Sequence, residues 1–154
     1  MANSDEHDPT GYSNEEADVR IEQMNKRMKK LEVCAREDMA APKLYGPKEA
    51  DITIVSWGSN KGAILDALAQ FDNVNFLHIT WINPFPAEAV AKILKKAKHI
   101  INIECNYSGQ MAALIREKTG IEIQDNLLRY DGRPIYPEEI IEKIKKILSN
   151  SPNS

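Results

Sequence analysis

The sequence is poor in the residues that hold metals, clusters and covalent staples. It has two cysteines in 154 residues, Cys34 and Cys105, with no Cys-x-x-Cys pair. A structural zinc or an iron–sulfur cluster held by this chain alone is excluded on that count. A disulfide framework is excluded too, so two reduced thiols are expected. Aromatic residues make up only 6% and glycines number seven, which leaves no room for a low-complexity or fibrous chain. No apolar run approaches the roughly 20 residues that span a bilayer. The net charge is -3, so the basic excess of a nucleic-acid binder is missing. Met1-Ala2-Asn3-Ser4-Asp5-Glu6 has no basic-then-apolar signal pattern, and a cytoplasmic home is expected.

What remains is ordinary globular material: 42% hydrophobic and 28% charged residues, enough for one domain with a real core. Residues 1–14 are polar, broken by Pro9 and Gly11, and read as a flexible tail. A coupling or linker helix is expected within residues 15–40. Ala17, Ile21, Met24, Met28, Leu31 and Ala35 form a seam at steps of four and three. That seam packs on this domain or on a neighbour. Ala41-Pro42-Lys43-Leu44-Tyr45-Gly46-Pro47 forbids a continued helix, and residues 41–150 form the α/β domain.

The domain opens with Ile52-Thr53-Ile54-Val55-Ser56-Trp57, a β-branched run apolar enough for a strand covered on both faces. Gly58 turns the chain tightly, Ser59 or Asn60 is placed to cap, and a helix is expected over 59–71. Strands follow at 74–81 and 99–105, each leading into a helix, at about 86–97 and after Gln110. Short extended pieces flank an expected Asp125-Asn126 turn, at 121–123 and 127–130. Pro137 opens a last amphipathic helix, before a frayed tail at 149–154. Repeated strand–helix units predict a parallel sheet with helices on both faces. Ligands and partners then meet the carboxyl ends of the strands.

Three such ends carry candidate chemistry. Gly58-Ser59-Asn60-Lys61-Gly62 sits at a helix N-terminus, where N–H groups favour an anion. It lacks the full phosphate-loop and dinucleotide fingerprints, so a turn packed on a partner is the competing reading. Glu104-Cys105-Asn106-Tyr107-Ser108-Gly109-Gln110 ends a strand. Glu104 there is placed to brace the turn, and Cys105 near a helix start is a candidate thiol without a neighbouring histidine. Asp131-Gly132-Arg133 is a turn whose arginine is placed to grip a carboxylate. His78 and His99 lie in or beside strands without a second ligand at metal spacing.

Four motifs stand in register: Trp57-Gly58-Ser59-Asn60-Lys61-Gly62, Pro84-Phe85-Pro86, Glu104-Cys105-Asn106-Tyr107-Ser108-Gly109-Gln110 and Tyr130-Asp131-Gly132-Arg133-Pro134. With them the chain resembles the C-terminal part of the alpha subunit of 2-oxoacid:ferredoxin oxidoreductases, in particular the 2-oxoglutarate type. His7-Asp8-Pro9-Thr10-Gly11-Tyr12 and Lys26-Arg27-Met28-Lys29-Lys30-Leu31 are similar to the segment that precedes this domain in the family. The resemblance implies a three-layer α/β/α sandwich on a mostly parallel sheet, similar to the transketolase C-terminal domain. That fold has a fifth, antiparallel edge strand. Leu44-Tyr45 is a poor candidate for it, so four or five strands are expected.

The resemblance also implies oxidative decarboxylation of a 2-oxoacid. In the whole enzyme thiamine diphosphate with magnesium supplies the carbanion chemistry, coenzyme A takes the acyl group and iron–sulfur clusters pass electrons to ferredoxin. This chain has no Gly-Asp-Gly…Asn-Asn thiamine signature and no cluster cysteines. No cofactor is expected on it alone, and catalysis is expected to belong to the cofactors held elsewhere. The expected role is docking on the remaining thiamine domain and on the beta subunit, with the strand-end residues above as contacts. The alternatives are a free-standing flavodoxin-like module taking a phosphate or carboxylate at Gly58 to Gly62, and a thiol enzyme using Cys105.

Overall fold

The computed structural model describes residues 5–150. The chain divides into two units, Met1–Met39 and Ala40–Ser154. In the first unit, strands β1 (Glu6–His7) and β2 (Ser13–Asn14) pair antiparallel, and helix α1 spans Ala17–Glu37. The stretch expected to be a bare tail is therefore a small hairpin from Glu6 onward; Met1 to Ser4 lie outside the described residues. Its turn is closed by Asp8, whose carboxylate accepts from the Thr10 N–H at 2.9 Å and the Thr10 hydroxyl at 2.5 Å. Arg27 pairs with Glu6. No residue of α1 is buried, and Ile21, Met24, Met28 and Leu31 of the expected seam are exposed.

The second unit is a three-layer α/β/α sandwich. Its strands are β3 (Lys43–Tyr45), β4 (Ile52–Trp57), β5 (Val74–Ile79), β6 (His99–Glu104) and β7 (Asp125–Leu128). Its helices are α2 (Lys61–Leu68), α3 (Ala87–Leu94), α4 (Gln110–Thr119) and α5 (Pro137–Asn150). The sheet order is β3-β5-β4-β6-β7, and every pair is parallel except β3 with β5.

Five strands, not four, make the sheet. The edge segment discounted on its sequence pairs Lys43 with His78 and Tyr45 with Phe76. Three residues suffice because an edge strand needs a ladder on one side only, and Tyr45 stacks on Phe76 at 5.7 Å. The expected Asp125-Asn126 turn is also corrected, since both residues lie inside β7, opposite Ile101 and Asn102. Residues 121–123 are not a strand. Strand β5 ends at Ile79 and α2 at Leu68, short of the expected Trp81 and Phe71, while α5 runs on through Ser149 and Asn150. Ser151 to Ser154 lie outside the described residues.

Alternation along the central strands divides the core. Ile52, Ile54, Phe76, Ile101 and Ile103 face α2 and α5, where Ile64, Ile140 and Ile144 are fully buried. Val55, Leu77, Ile79 and Ile100 face α3 and α4, against Val90, Leu94, Met111 and Ile115. Both faces are covered, as the unbroken apolar run of β4 requires. The chain leaves β4 towards α2 on one face and leaves its neighbour β6 towards α4 on the other. The carboxyl ends of β4 and β6 therefore part at a topological switch point, where α/β sheets hold ligands.

Candidate functional site

The switch point is stitched shut by the chain's own side chains. The β4–β6 ladder ends at Val55 and Asn102. Beyond it, the buried Ser56 hydroxyl donates to the Ile103 carbonyl at 2.6 Å. Asn60 Nδ2 reaches the same carbonyl at 3.4 Å and the Ser56 hydroxyl at 3.3 Å. Asn60 is thus turned inward. Neither it nor Ser59 caps the helix: a 3₁₀ turn over Gly58–Asn60 leads into α2 with no side-chain cap.

Glu104 is the centre of the arrangement. It is fully buried at the end of β6, and its carboxylate accepts from five groups. Oε1 takes Asn102 Nδ2 at 2.7 Å and the Ala112 N–H at 3.3 Å. Oε2 takes Asn106 Nδ2 at 2.6 Å and the Trp57 indole N–H at 3.2 Å. The Met111 N–H lies 2.9 and 3.0 Å from the two oxygens. Burial alone would push this carboxyl up. The Met111 N–H, Asn106, Asn102 and Trp57 outweigh burial and hold it below its ordinary range.

That network also completes the start of α4. A helix leaves its first N–H groups without intrahelical partners. Here Asn106 Oδ1 accepts from Gly109 at 2.8 Å and Gln110 at 3.4 Å, and Glu104 takes Met111 and Ala112. The N-terminus of α4 is thus filled by a carboxylate of the same chain. Asn102 and Asn126 extend the network, with Asn102 Nδ2 donating to Asn126 Oδ1 at 2.9 Å. Neither is among the residues expected at the site, and Asn126 is expected in a turn. The signal for Asn102 was a lone amide in an apolar strand, two residues from Glu104 and so on the same face.

The strand-end candidates separate into groups. Glu104, Asn106, Gly109 and Asn60 join one network, and Cys105 Sγ donates to Asn60 Oδ1 at 3.2 Å. Tyr107 is 75% exposed and meets Tyr130, 66% exposed, edge to face at 4.9 Å between centroids. Trp57, whose indole N–H serves Glu104, is 39% exposed. Ser59, Ser108 and Gln110 are exposed without ligand-like grouping. Lys61 leaves the cluster, its ammonium 5.3 Å from the Tyr45 ring centre; Gly58 and Gly62 flank it with open space where a Cβ would stand. The Arg133 fork is closed on its own turn, with Nε 2.9 Å and one Nη 2.5 Å from Asp131. Asp131, gripped by Arg133 above all, titrates at about 2. Arg129 pairs with Asp131 and Glu139, and these line an open cavity of about 330 Å3 with Tyr130.

Among the described residues no three His, Cys, Asp or Glu side chains are gathered as metal ligands. Cys34 and Cys105 belong to different units. No helix among the described residues is long and apolar enough to cross a membrane.

Fold and crevice together define a doubly wound α/β domain whose switch point is sealed from within. A family model described as pyruvate:ferredoxin oxidoreductase core domain II matches residues 50–140, and the chain belongs to that family. It is 35% identical over 150 residues to the 2-oxoacid:ferredoxin oxidoreductase subunit alpha of Saccharolobus solfataricus, covering 94% of this chain and 24% of that protein. The corresponding subunit 1 of Aeropyrum pernix is 31% identical over 154 residues, covering 95% of this chain and 24% of that protein. The chain thus spans about a quarter of the length of the curated relatives it matches.

Among solved structures it is similar to 2-oxoglutarate:ferredoxin oxidoreductase from Magnetococcus marinus with 2-oxoglutarate, coenzyme A and succinyl-CoA bound. The TM-score is 0.79 at 26% identity, over 95% of this chain and 26% of that one. It is also similar to the alpha chain of a probable 2-oxoacid ferredoxin oxidoreductase from Thermoplasma acidophilum. There the TM-score is 0.51 at 40% identity, over 71% of this chain and 98% of that one.

Proposed function

We propose that this chain is the structural and assembly domain of the alpha subunit of a thiamine diphosphate-dependent 2-oxoacid:ferredoxin oxidoreductase in the cytoplasm, inactive by itself. Its partners are the remaining thiamine domain of the alpha subunit and the beta subunit, with ferredoxin as the indirect electron acceptor. In this reading residues 15–40 are the coupling helix and 41–150 the docking domain. The observation that carries the proposal is the state of Glu104. The buried carboxylate at the switch point has five donors on its two oxygens, so it stabilises a turn and is not free to move a proton. The exposed Trp57 and the exposed pair Tyr107 and Tyr130, at the strand ends, have the composition of a protein contact. The Magnetococcus marinus enzyme, similar in fold, is a ferredoxin oxidoreductase with 2-oxoglutarate and coenzyme A bound.

The division of labour follows. Thiamine diphosphate, magnesium, iron–sulfur clusters and coenzyme A supply the chemistry from the rest of the enzyme. This chain contributes a rigid sheet with polar turns. The test is reconstitution. Mixed with the remaining alpha portion and the beta subunit, the chain restores 2-oxoacid-dependent reduction of ferredoxin, and alone it shows none. An assembly that forms and turns over equally well without it would overturn the proposal.

A further inference from the structure

Edge strand β3 has three residues and a single ladder, to β5. An edge with so few ladder bonds opens more readily than the central strands. Ring contacts hold it down. Tyr45 stacks on Phe76 at 5.7 Å between centroids and lies 6.5 Å from the His78 ring. Phe76 and His78 are 5.5 Å apart on one face of β5. The three rings join the edge to the sheet.

Two lysines border these rings. Lys43 is directly opposite His78 in the antiparallel register, so the two side chains share a face. The Lys43 ammonium lies 4.7 Å from the centre of the Tyr45 ring, and that of Lys61, at the start of α2, lies 5.3 Å from it. Neither lysine forms an ion pair among the described residues. Across the ladder on β4, Ser56 gives its hydroxyl to the Ile103 carbonyl.

The Nε2 of His78 is buried with no hydrogen-bond partner. In the neutral ring that nitrogen is a bare acceptor; in the imidazolium it carries an N–H. That N–H finds no acceptor, and the new charge stands opposite Lys43. Like charges directly opposite in a ladder are destabilising. Burial first and Lys61 second hold the ring below its ordinary value, with the Gly58 backbone opposing them. Opening of β3 lets water reach the ring and separates the charges. We propose that His78 is a protonation switch for this edge of the sheet: neutral, it packs on Tyr45 and keeps β3 paired, and protonated, it releases β3 from β5.

The test uses the 154-residue chain, with histidine ring protons and amide hydrogen exchange followed by NMR between about pH 8 and 5. The His78 midpoint lies below 6.5. As pH falls through this range, protection of the amides that bridge β3 and β5 drops about two- to fivefold relative to those of β6, the ratio of one cross-strand charge pair. His78→Gln abolishes the difference. Lys43→Glu, at an exposed position, moves the His78 midpoint up by about half a pH unit and cancels the loss of protection. A parent midpoint at 6.5 or above, edge protection that falls no more than that of β6, a response that survives His78→Gln, or a midpoint unmoved by Lys43→Glu would each overturn the proposal.

Discussion

The Glu104 carboxylate sits across the Met111 N–H, with its two oxygens 2.9 and 3.0 Å from that nitrogen. One side chain from the end of β6 thereby does the work of a helix cap for α4, whose own cap position is Gly109 with no side chain to offer. Glu104→Gln replaces one accepting oxygen with a donor facing donors. A loss of about 2–3 kcal/mol follows, the usual worth of hydrogen bonds to a charged group. Urea unfolding at neutral pH measures it. An unchanged midpoint would mean that the network is not under load.

The same carboxyl gives stability a pH dependence of definite sign. Its folded titration lies below the ordinary value of 4.5. Asp125 is likewise held below 3.8, by Lys143 first and by His99, against the opposing effect of burial. A depressed carboxyl contributes stability above its unfolded value and loses it as pH falls through the folded one. Unfolding free energy therefore declines first as pH falls through about 6.5, where the unfolded chain protonates His78 while burial holds the folded imidazole below its ordinary value, and falls further below about 4.5 as the carboxyls protonate. The Glu104→Gln, Asp125→Asn double variant flattens the acid limb only in part, since Asp51 and Asp131 are held below 3.8 as well, and urea titrations at stepped pH read it out.

Asp131 is a solvent-facing counterpart. It titrates at about 2 because Arg133 grips it through side-chain and backbone donors. Arg133→Ala moves its titration up towards 3.8, followed by the carboxyl carbon shift in NMR. A midpoint still near 2 in the variant would assign the grip to Arg129 instead.

Much of the fold was legible because it rests on local pattern. The unbroken apolar run of β4 announced two covered faces, and Ile140, Ile144 and Ile147 announced the buried side of α5. Glu104 as a brace could be read from a carboxylate between a strand and a helix start. The misses all depend on distant partners. Asp125 and Asn126 are turn formers by habit, but His99 at 2.8 Å and Lys143 hold Asp125 in a strand that pairs with β6. Lys43 to Tyr45 has no period to read, and its ladder is to residues 76–78. Asn60 is a common cap residue, but the Ser56 hydroxyl and the Ile103 carbonyl, outside the ladder where β4 and β6 part, draw it inward.

Gly46 offers a sharp check on how the loop after β3 meets β5. Any Cβ there meets the Val74 carbonyl at 2.9 Å, against backbone that cannot swing aside, in a conformation that L residues avoid. Gly46→Ala is expected to cost about 1–3 kcal/mol. Gly132→Ala, with φ +83 but open space around it, costs about 1 kcal/mol from the backbone alone. Equal losses at the two sites would remove the claim that the loop is pressed onto β5.

Tyr107 and Tyr130 provide the decisive variant for the docking role, because their contact contributes little to this domain's own core. Both rings are largely exposed and touch each other across the ends of β6 and β7. Trp57 is less suitable, since its indole N–H also serves Glu104. Tyr107→Ala with Tyr130→Ala is expected to leave the domain's unfolding midpoint within about 1 kcal/mol of the parent. Buried aromatic anchors lose about 2 kcal/mol or more each in a protein interface, so affinity for the remaining alpha portion and beta subunit falls about a hundredfold or more. Sedimentation of the reconstituted mixture measures this directly. Undiminished association with a stable double variant would move the docking face away from the carboxyl ends of the strands.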